Sequence, residues 1–325
     1  MRVAVICPLY NEEKNISQLI DSLLKQTRRP EEIILVDDGS QDKTAEIIQA
    51  YSKQYPFVHY LHQPNKGPAA ARNRAWKSTD AEICVFTDGD CVPESGWIET
   101  LLRAFTGNEV GAVAGTYKTL NPENILARFI GLEIAWRYRH VKGTVDVHGS
   151  YNLAVRRKVL QDVGGFDESY PFPSGEDWDL SYKISQRSKI RYIPEAVVGH
   201  FHPDDFFWYM SNQKRRAYDR MRVYNQHPDK MGSDTYTGKI VKYQVLAAGA
   251  LIPSLIFMMP LFPFSHLIPL SLLFFLFAAA WIPFPYFLSK DIAVAFYSLP
   301  VQLCRNFAWF VGAFAGLLKF GFKLQ

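Results

Sequence analysis

The longest stretch without a charged side chain covers residues 243–289, and it constrains the fold more than any other feature of the sequence. Its 47 residues are about twice the roughly 20 that one membrane-spanning helix needs. Pro260 and Pro263 interrupt the stretch near its middle, where a turn between two helices is expected. The sequence therefore predicts a membrane domain over residues 243–325, with spans near 243–262 and 265–288.

A third apolar stretch, residues 292–318, contains Arg305 and leaves two possibilities open. A charged residue inside a span costs at least about 2.5 kcal/mol on insertion scales, and it usually faces protein, water or an anionic group such as a lipid phosphate. The stretch is either a third span or a re-entrant or interfacial segment. Lys319 and Lys323 follow it, and cationic flanks of this kind favour the cytoplasmic side and hence the second possibility.

Charge and cysteine content exclude other classes of protein. The 325 residues include 36 Lys plus Arg against 32 Asp plus Glu, and a formal charge of +4 gives no indication of a nucleic-acid partner. Four cysteines without CxxC spacing indicate reduced thiols. The first eight residues are typical of a strand and not of a secretion signal. We therefore expect a multi-pass protein of the cell membrane whose preceding domain is cytoplasmic.

Short runs of β-branched residues alternate with amphipathic segments before the membrane domain. Strands are predicted at 3–7, 33–36, 57–61 and 82–87, with helices opening near residues 12, 43 and 68. This alternation predicts an α/β fold with a mostly parallel sheet and helices on both faces. We assign residues 1–202 to this domain and residues 203–242 to a basic and aromatic segment between it and the membrane domain.

Two carboxylates separated by one glycine, Asp88 and Asp90, follow the fourth predicted strand. Open α/β sheets bind ligands at the carboxyl ends of their strands, and carboxylate oxygens suit Mg²⁺ or Mn²⁺ together with substrate phosphates. The pattern therefore indicates a metal site, although Asp and Gly are also turn residues. Cys91 could be a soft metal ligand or a nucleophile, but it is a weaker candidate because the surrounding potential ligands are oxygen atoms.

Other strand ends carry polar motifs too. P-L-Y-N-E begins at Pro8 and V-D-D-G-S begins at Val36. A carboxylate at such a position can accept hydrogen bonds from a ribose or a base, while a turn followed by a helix cap is the alternative. Residues 65–73 open a helix whose N–H groups and cations can face a diphosphate. No P-loop or G-x-G-x-x-G motif is present, which argues against ATPases and nicotinamide enzymes.

The ordered motifs P-L-Y-N-E, V-D-D-G-S, N-K-G-P-A-A-A-R-N and D-G-D resemble those of the inverting family 2 glycosyltransferases, which have the GT-A nucleotide-sugar fold. Residues 149–157, 163–168 and 175–180 are similar to the acceptor-side motifs of that family. The resemblance covers roughly residues 3 to 202. It implies a nucleotide-sugar donor, for which we expect a UDP-sugar, and Mn²⁺ or Mg²⁺ as cofactor.

The resemblance also implies residue roles. The residues expected to bind the donor are Pro8, Tyr10, Glu12, Asp38, Lys66, Arg72 and Asp88. The expected metal ligands are Asp90, Asp88 and His200. His202 is the runner-up to His200, and a structural histidine is the alternative. Asp177 matches the catalytic base and Glu176 is expected to orient the acceptor, with a solvated helix N-terminus as the alternative. The residues expected to contact the acceptor are Asn152, Gly165 and Trp178.

The mechanism implied by these roles follows from charge. A metal bridging the diphosphate oxygens stabilises the leaving group, and one carboxylate removes the proton of the attacking hydroxyl. A single base without a protein nucleophile predicts inversion at the anomeric carbon.

Two further segments carry apolar or aromatic residues, and the first of them is more typical of a core than of a lipid or acceptor contact. Residues 123–140 form an apolar helix with a basic end, which lies either in a core or against the membrane. Residues 204–226 place an aromatic cluster before five cations within nine residues. Such a segment favours binding to an anionic leaflet, although the cations could also contact the diphosphate or solvent.

We therefore expect a membrane-anchored, metal-dependent inverting glycosyltransferase. Its expected acceptor is a hydroxyl of a lipid-linked glycan or a surface polysaccharide precursor, because a membrane anchor brings the site to such substrates. A polyprenyl-phosphate acceptor, a nucleotidyltransferase and a non-catalytic membrane scaffold stay open as alternatives. The motifs G-G-F-D-E and E-D favour the hydroxyl acceptor, and the three acids Asp88, Asp90 and Asp177 argue against a scaffold.

Overall fold

A computed structural model describes residues 1–232, 234–256 and 267–321. These residues form two compact units, the first of residues 1–120 and 141–201 and the second of residues 121–140 and 202 onward. The predicted turn at Pro260 and Pro263 lies outside the described residues, as does Lys323. The predicted domain boundaries at 202 and 242 stay a prediction.

As far as residue 86, the strands and helices alternate in the predicted order. The strands are β1 (Val3–Leu9), β2 (Glu32–Asp37), β3 (Val58–His62), β4 (Ile83–Phe86), β5 (Cys91–Pro93), β6 (Val110–Thr119), β7 (Thr144–Val145), β8 (Leu153–Arg156) and β9 (Lys189–His200). The helices are α1 (Ile16–Leu24), α2 (Thr44–Gln54), α3 (Pro68–Lys77), α4 (Trp97–Arg103), α5 (Ile125–Tyr138), α6 (Arg157–Val163), α7 (Glu176–Ser185), α8 (Phe206–Gln226), α9 (Lys239–Ile256), α10 (Leu267–Ala280), α11 (Phe284–Lys290) and α12 (Ile292–Phe320).

The first unit is built on a sheet of order β3-β2-β1-β4-β8-β6-β9-β5, with β7 paired to β9. Strands β1 to β4 are mutually parallel, whereas β8 runs antiparallel to both β4 and β6. The α/β fold class is confirmed. The sheet is more mixed than the predicted one, because the short antiparallel strands β5, β7 and β8 carry too few residues to show a period in the sequence.

Burial explains why the first strands form. Every residue of β1 from Val3 to Cys7 is fully buried, as is typical of a central parallel strand covered by helices on both faces. Helix α1 buries one apolar stripe at helical spacing, namely Ile16, Leu19, Ile20 and Leu23. Because β1, β2 and β4 are parallel, the polar residues that follow them meet at one edge of the sheet.

The second unit is helical. Helices α5, α8, α11 and α12 enclose one apolar cluster, and α9, α10 and α12 enclose another. Among the described residues, Leu267–Lys290 and Ile292–Phe320 are long and apolar enough to cross a membrane. The first of them matches a predicted span. The predicted span near 243–262 extends beyond the described residues and stays a prediction.

Arg305, the charged residue of the third apolar stretch, faces protein. Its side chain is 4% exposed, forms an ion pair with Glu133 of α5, and donates a hydrogen bond to the Tyr209 hydroxyl of α8 at 3.3 Å. Arg137 contacts the other oxygen of Glu133 at 2.9 Å. Burial by itself would raise the pKa of Glu133, but the two guanidinium groups outweigh it and lower the pKa to about 2. The ion pairs and the hydrogen bond to Tyr209 together join α5, α8 and α12.

Helices α8 and α12 approach closely where α12 has glycine. A Cβ atom at Gly312 would overlap the backbone oxygen of Lys214. We expect Gly312→Leu to lower stability by about 1–3 kcal/mol, the usual cost of overpacking. Ala315→Leu, on the exposed face of the same helix, is the matched control and should change little. Thermal unfolding of the full chain in detergent measures both, and equal midpoints for the two variants would contradict this packing.

Candidate active site

The D-G-D turn packs against the end of β1. A Cβ atom on Gly89 would lie 2.6 Å from Cγ of Glu12 and 2.8 Å from Cδ2 of Leu9. Only glycine fits at this point, since a methyl group would push the first motif away from the turn. The motif therefore places Asp88 and Asp90 beside the residues that follow β1.

Asp90 and His200 come together through strand pairing. Strand β5 pairs antiparallel with β9 so that Cys91 lies opposite His200, and the N–H of Phe201 donates to the Asp90 carbonyl at 3.0 Å. Oδ1 of Asp90 lies 3.5 Å from Nε2 of His200. The imidazole stacks on Tyr117, with ring centroids 5.2 Å apart. A carboxylate and an imidazole held side by side fit a Mn²⁺ or Mg²⁺ ion, and imidazole suits Mn²⁺ better.

Cys91 belongs to the same cluster, because one potential ligand atom each of Asp90, Cys91 and His200 lie within 4.8 Å of one another. The thiol is fully buried. Burial, together with the charges of Asp90 and Asp88, raises the pKa of Cys91 well above its usual value. Mn²⁺ and Mg²⁺ also prefer oxygen and imidazole donors to a soft sulfur ligand. The carboxylate and the imidazole are therefore the better donors.

Arg72 connects the D-G-D turn with α7. Its guanidinium is 3% exposed and donates to Oδ1 of Asp88 at 2.8 Å and to Oε1 of Glu176 at 3.1 Å. Oδ1 of Asp177 lies 3.7 Å from the same group. One buried cation thus lies among three carboxylates from two separate motifs. A charge so placed needs such partners, because an unpaired buried cation is strongly unfavourable.

Glu176 and Asp177 differ in environment although they are neighbours. The Glu176 carboxylate is buried and accepts the N–H groups of Ser174 at 2.9 Å and Gly175 at 3.1 Å. The side chain of Asp177 is 21% exposed. Burial raises the pKa of both carboxyls, and the Arg72 charge opposes that rise. Asp177 is therefore the member of the pair that a substrate can reach, and Glu176 holds the start of α7 and Arg72.

The first two strand ends show which predicted donor residues already have protein partners. Asp38 is buried and accepts hydrogen bonds from Gln63 Nε2 at 2.8 Å, from Lys66 N at 2.9 Å and from Gly67 N at 2.8 Å. These bonds hold the loop that opens α3. The side chain of Lys66 is exposed, and its backbone N–H is one of the three donors to Asp38.

Tyr10, Pro8 and Glu12 surround the end of β1. Tyr10 is 46% exposed, which leaves its ring accessible, while Pro8 pairs with Val36 of β2 inside the sheet. Glu12 accepts a hydrogen bond from Asn15 Nδ2 at 3.1 Å. Burial, followed by the charge of Asp90, raises the pKa of Glu12 to about 7. Glu12 therefore belongs to the same carboxylate cluster as the D-G-D acids.

The contact between Asp37 and His62 was not predicted from the sequence. The Asp37 carboxylate is buried and accepts from Ser40 N at 2.9 Å, and it lies 2.8 Å from His62 Nδ1. The adjacent parallel strands β2 and β3 place these two residues opposite each other. Each of these residues is a polar residue at the end of a strand, which is visible in the sequence. Pairing them requires the order of the strands in the sheet, which the sequence does not show.

The predicted acceptor residues lie in different environments. Asn152 is fully buried and bonds to Thr116 O, Ala196 O and Trp97 Nε1 at 2.7, 2.9 and 2.8 Å. Gly165 has a φ of +72°, and a Cβ atom there would lie 2.6 Å from Asn73 Oδ1. Trp178 is half-buried on α7. Contact of these residues with an acceptor stays a prediction, as do the donor and catalytic roles.

His202, the runner-up metal ligand, belongs to the second unit. Its backbone N–H donates to Asn121 Oδ1 at 3.0 Å and its carbonyl accepts from Asn121 Nδ2 at 2.7 Å. Its backbone therefore ties two segments of that unit together.

His148, in the loop before Asn152, predicts a pH dependence of stability. The ring is fully buried, and this burial lowers its pKa from 6.5 to about 4. The unfolded chain therefore binds a proton that the folded chain does not, and stability should fall by up to about 3 kcal/mol as the pH decreases from 6.5 to 4. We expect His148→Gln to remove this part of the slope in thermal unfolding.

The matched control for His148→Gln is His59→Gln, at an exposed histidine of β3. It should leave the pH slope of the parent unchanged. If all three proteins lost stability in parallel on acidification, burial of His148 would have no part in the slope.

Comparison with known proteins gives this arrangement a family. The family model described as Glycosyl transferase family 2 matches residues 4–164. The chain is 31% identical over 239 residues to the pre-mycofactocin glycosyltransferase of Mycobacterium tuberculosis (strain CDC 1551 / Oshkosh). The aligned region covers 70% of this chain and 48% of that protein. The chain thus spans about half the length of the curated relatives it matches.

Solved structures share the fold. The mannosyltransferase PcManGT from Pyrobaculum calidifontis, in complex with GDP-Man and Mn²⁺, superposes with a TM-score of 0.63 at 20% identity and covers 98% of this chain and 86% of its own. S. aureus TarS 1-349 in complex with UDP-GlcNAc superposes with a TM-score of 0.55 at 19% identity, covering 97% and 91%. These transferases have the GT-A type of fold. Residues 4–164 therefore form a glycosyltransferase family 2 domain, and the fold around it is of the GT-A type.

Proposed function

We propose that this glycosyltransferase is metal-dependent and inverting, and that it moves a sugar from a nucleoside diphosphate to a hydroxyl group at a membrane. The observation that carries the proposal is the position of Arg72 between the D-G-D turn and the Glu176–Asp177 pair. This position joins a metal-binding motif and a base within one site. Neither motif would perform the transfer by itself.

Asp90 and His200 would hold the metal ion, with Asp88 close by. When bound, a divalent ion supplies Lewis-acid stabilisation of the diphosphate leaving group. The two donor atoms, 3.5 Å apart, support this assignment. The Mn²⁺ in the Pyrobaculum calidifontis structure supports a divalent ion in general, and we propose Mn²⁺ or Mg²⁺ here.

Asp177 would remove the proton of the acceptor hydroxyl. Its partly exposed carboxylate can reach a substrate, and Arg72 and Glu176 would fix its orientation. With Asp177 as the single base, the hydroxyl oxygen attacks the anomeric carbon while the bond to the diphosphate breaks on the opposite face. This geometry inverts the anomeric configuration.

The donor we propose is a UDP-sugar. Tyr10 and Glu12 lie at the end of β1, where the base and ribose would bind, and Lys66 and Arg72 would contact the phosphates. The UDP-GlcNAc bound to S. aureus TarS supports a uridine donor, whereas GDP-Man in the Pyrobaculum calidifontis structure supports guanosine. The nucleotide is therefore the first variable to measure.

The acceptor we propose is a lipid-linked glycan or a surface polysaccharide precursor on the cytoplasmic side of the cell membrane. Two candidate spans, Leu267–Lys290 and Ile292–Phe320, support membrane attachment. A polyprenyl phosphate is the alternative acceptor.

The test uses the full chain purified in detergent. Calorimetric titration with UDP, GDP, dTDP and CMP, each with and without Mn²⁺, should show metal-dependent binding of one nucleoside diphosphate. The matching sugar nucleotide should then label either the glycan hydroxyls or the polyprenyl phosphate of a membrane lipid extract. If none of the nucleotides bound with or without metal, the proposed donor site would be wrong and the non-catalytic scaffold would be favoured.

A further inference from the structure

Helices α8 and α12 lie side by side in the same direction. The hydroxyl of Tyr209 accepts from Arg305 at 3.3 Å, and Gln213 Oε1 accepts from Trp309 Nε1 at 2.9 Å. Further along, Asn225 Nδ2 donates to the carbonyl of Phe320 at 3.2 Å. Residue numbers rise in the same direction along both helices, so α8 packs alongside α12 from Arg305 to Phe320.

Helix α8 is highly charged over this length. Six of the nine residues from 214 to 222 are charged, namely Lys214, Arg215, Arg216, Asp219, Arg220 and Arg222. Each cation or aspartate at the centre of a bilayer costs about 2.5–3.5 kcal/mol on insertion scales. A helix with six such residues does not enter hydrocarbon. The half of α12 that packs against it is therefore excluded from the bilayer centre as well.

The remaining half of α12 is too short to span a membrane. From Ile292 to Arg305 the helix has 14 residues, which at 1.5 Å each is about 21 Å. The hydrocarbon core is about 30 Å thick. Arg305, Glu133 and Arg137 then place three charges at the end of that half.

The other side of α12 is apolar and exposed. Phe296, Val311, Phe314 and Leu318 are 49–72% exposed and follow one another at helical spacing. At 3.6 residues per turn this stripe lies opposite Arg305, Gly312 and Gly316, which face α8. One face of α12 thus contacts a charged helix while the opposite face needs an apolar environment over the same length.

We propose that α12 does not cross the bilayer but lies along its surface, with the apolar stripe in the headgroup and acyl boundary of an anionic leaflet and α8 on the aqueous side. This inference rests on the proposed membrane attachment. Interfacial helices have this division into an apolar and a cationic face. The exposed cations of α8, Lys214, Arg215 and Arg216, complement anionic headgroups within a Debye length of the surface. Both ends of α12, residues 292 and 319, are then on the same side of the membrane.

Depth measurement tests the orientation of the helix. One spin label is placed at Cys304, and two more are placed singly at Val311→Cys and Leu318→Cys in a Cys304→Ser background. Successive label positions are seven residues apart, or about 10 Å along the helix. Cys7, Cys84 and Cys91 are buried and should not react. The membrane depth of each spin label in phosphatidylglycerol vesicles is measured from its relaxation by oxygen and by a water-soluble nickel chelate. All three labels should lie at the same depth. Depths that change by about 10 Å per label would mean that α12 spans, and the proposal would be wrong.

Side-specific labelling provides a second, independent test. In the Cys304→Ser background, Lys290→Cys and Lys319→Cys, exposed positions at the two ends of α12, should react with an impermeant maleimide from the same side of sealed vesicles. Reaction from opposite sides would overturn the proposal. Labels in water at all three depth positions would overturn the lipid contact itself. Nucleotide binding, measured on the same preparations, shows separately whether the proposed transferase site is intact.

Lipid charge completes the test. The double variant Lys214→Glu, Arg216→Glu should shift the Leu318→Cys label toward water in phosphatidylglycerol vesicles but not in phosphatidylcholine vesicles. Lys53→Glu, at an exposed lysine of α2, is the control and should leave the depth unchanged. An equal shift in both kinds of vesicle would show that headgroup charge has no part in docking, and the anionic leaflet would then be the wrong partner.

Discussion

Asp177→Asn should reduce kcat by about 10²–10⁴ fold, the usual contribution of a general base, while donor binding is retained. The amide has nearly the size of the carboxylate but cannot take the proton of the acceptor hydroxyl. The partly exposed side chain lies 3.7 Å from Arg72, so the substitution leaves that cation paired with Asp88 and Glu176. Steady-state transfer kinetics and calorimetry with the nucleotide measure the two effects separately.

Asp80→Asn is the matched control for Asp177→Asn, because its side chain is 86% exposed and lies outside the proposed site. It should leave kcat unchanged. Near-normal turnover of Asp177→Asn would exclude this residue as the base. A parallel loss of donor affinity would instead indicate a structural role for Asp177 through Arg72.

Asp90→Ala should abolish metal-dependent donor binding. Loss of a residue that only orients a ligand typically lowers metal affinity by about 10–100 fold, and loss of a direct ligand should lower it at least that much. The imidazole of His200 and the carboxylate of Asp88, which is paired with Arg72, would remain, and these are too few donors for a divalent ion that prefers several oxygen ligands. Titration of Mn²⁺ in the presence of the nucleotide measures the loss, and thermal unfolding without metal checks that the fold is kept.

Cys91→Ala separates the two kinds of ligand in the cluster. The thiol lies 3.6 Å from Asp90 Oδ1, so a thiolate ligand would make this variant as defective as Asp90→Ala. We expect the Mn²⁺ affinity of Cys91→Ala to stay at that of the parent. Unchanged affinity in Asp90→Ala would show that the metal binds elsewhere.

Local patterns predicted the first strands and helices because their signals are short-range. The β-branched runs and the 3.6-residue stripe of α1 depend on neighbours in the sequence, and both appear in the structure. The antiparallel strand β8 has four residues and inserts between β4 and β6, which depends on pairing between residues that are at least 39 positions apart. Such long-range pairing leaves no period in the sequence.

The candidate site divides in the same way. D-G-D and the E-D pair were recognisable as motifs because their residues are adjacent. The bridge from Arg72 to Asp88 and Glu176 joins residues that are 16 and 104 positions apart, and only folding brings them within hydrogen-bond distance. The partners of Asp38 and Asn152 are likewise set by the loops and strands that surround them.

The sequence by itself determined that the chain is an α/β glycosyltransferase domain followed by apolar helices, since composition, hydrophobic period and motif order are local properties. Tertiary structure decided which charges are paired and which helix faces are covered. Arg305 in an apolar stretch left both a span and an interfacial helix open at the level of sequence. Its ion pair with Glu133 and the contact of α12 with α8 are the tertiary contacts from which we propose the interfacial helix, because the energy of a charge depends on what lies around it in space.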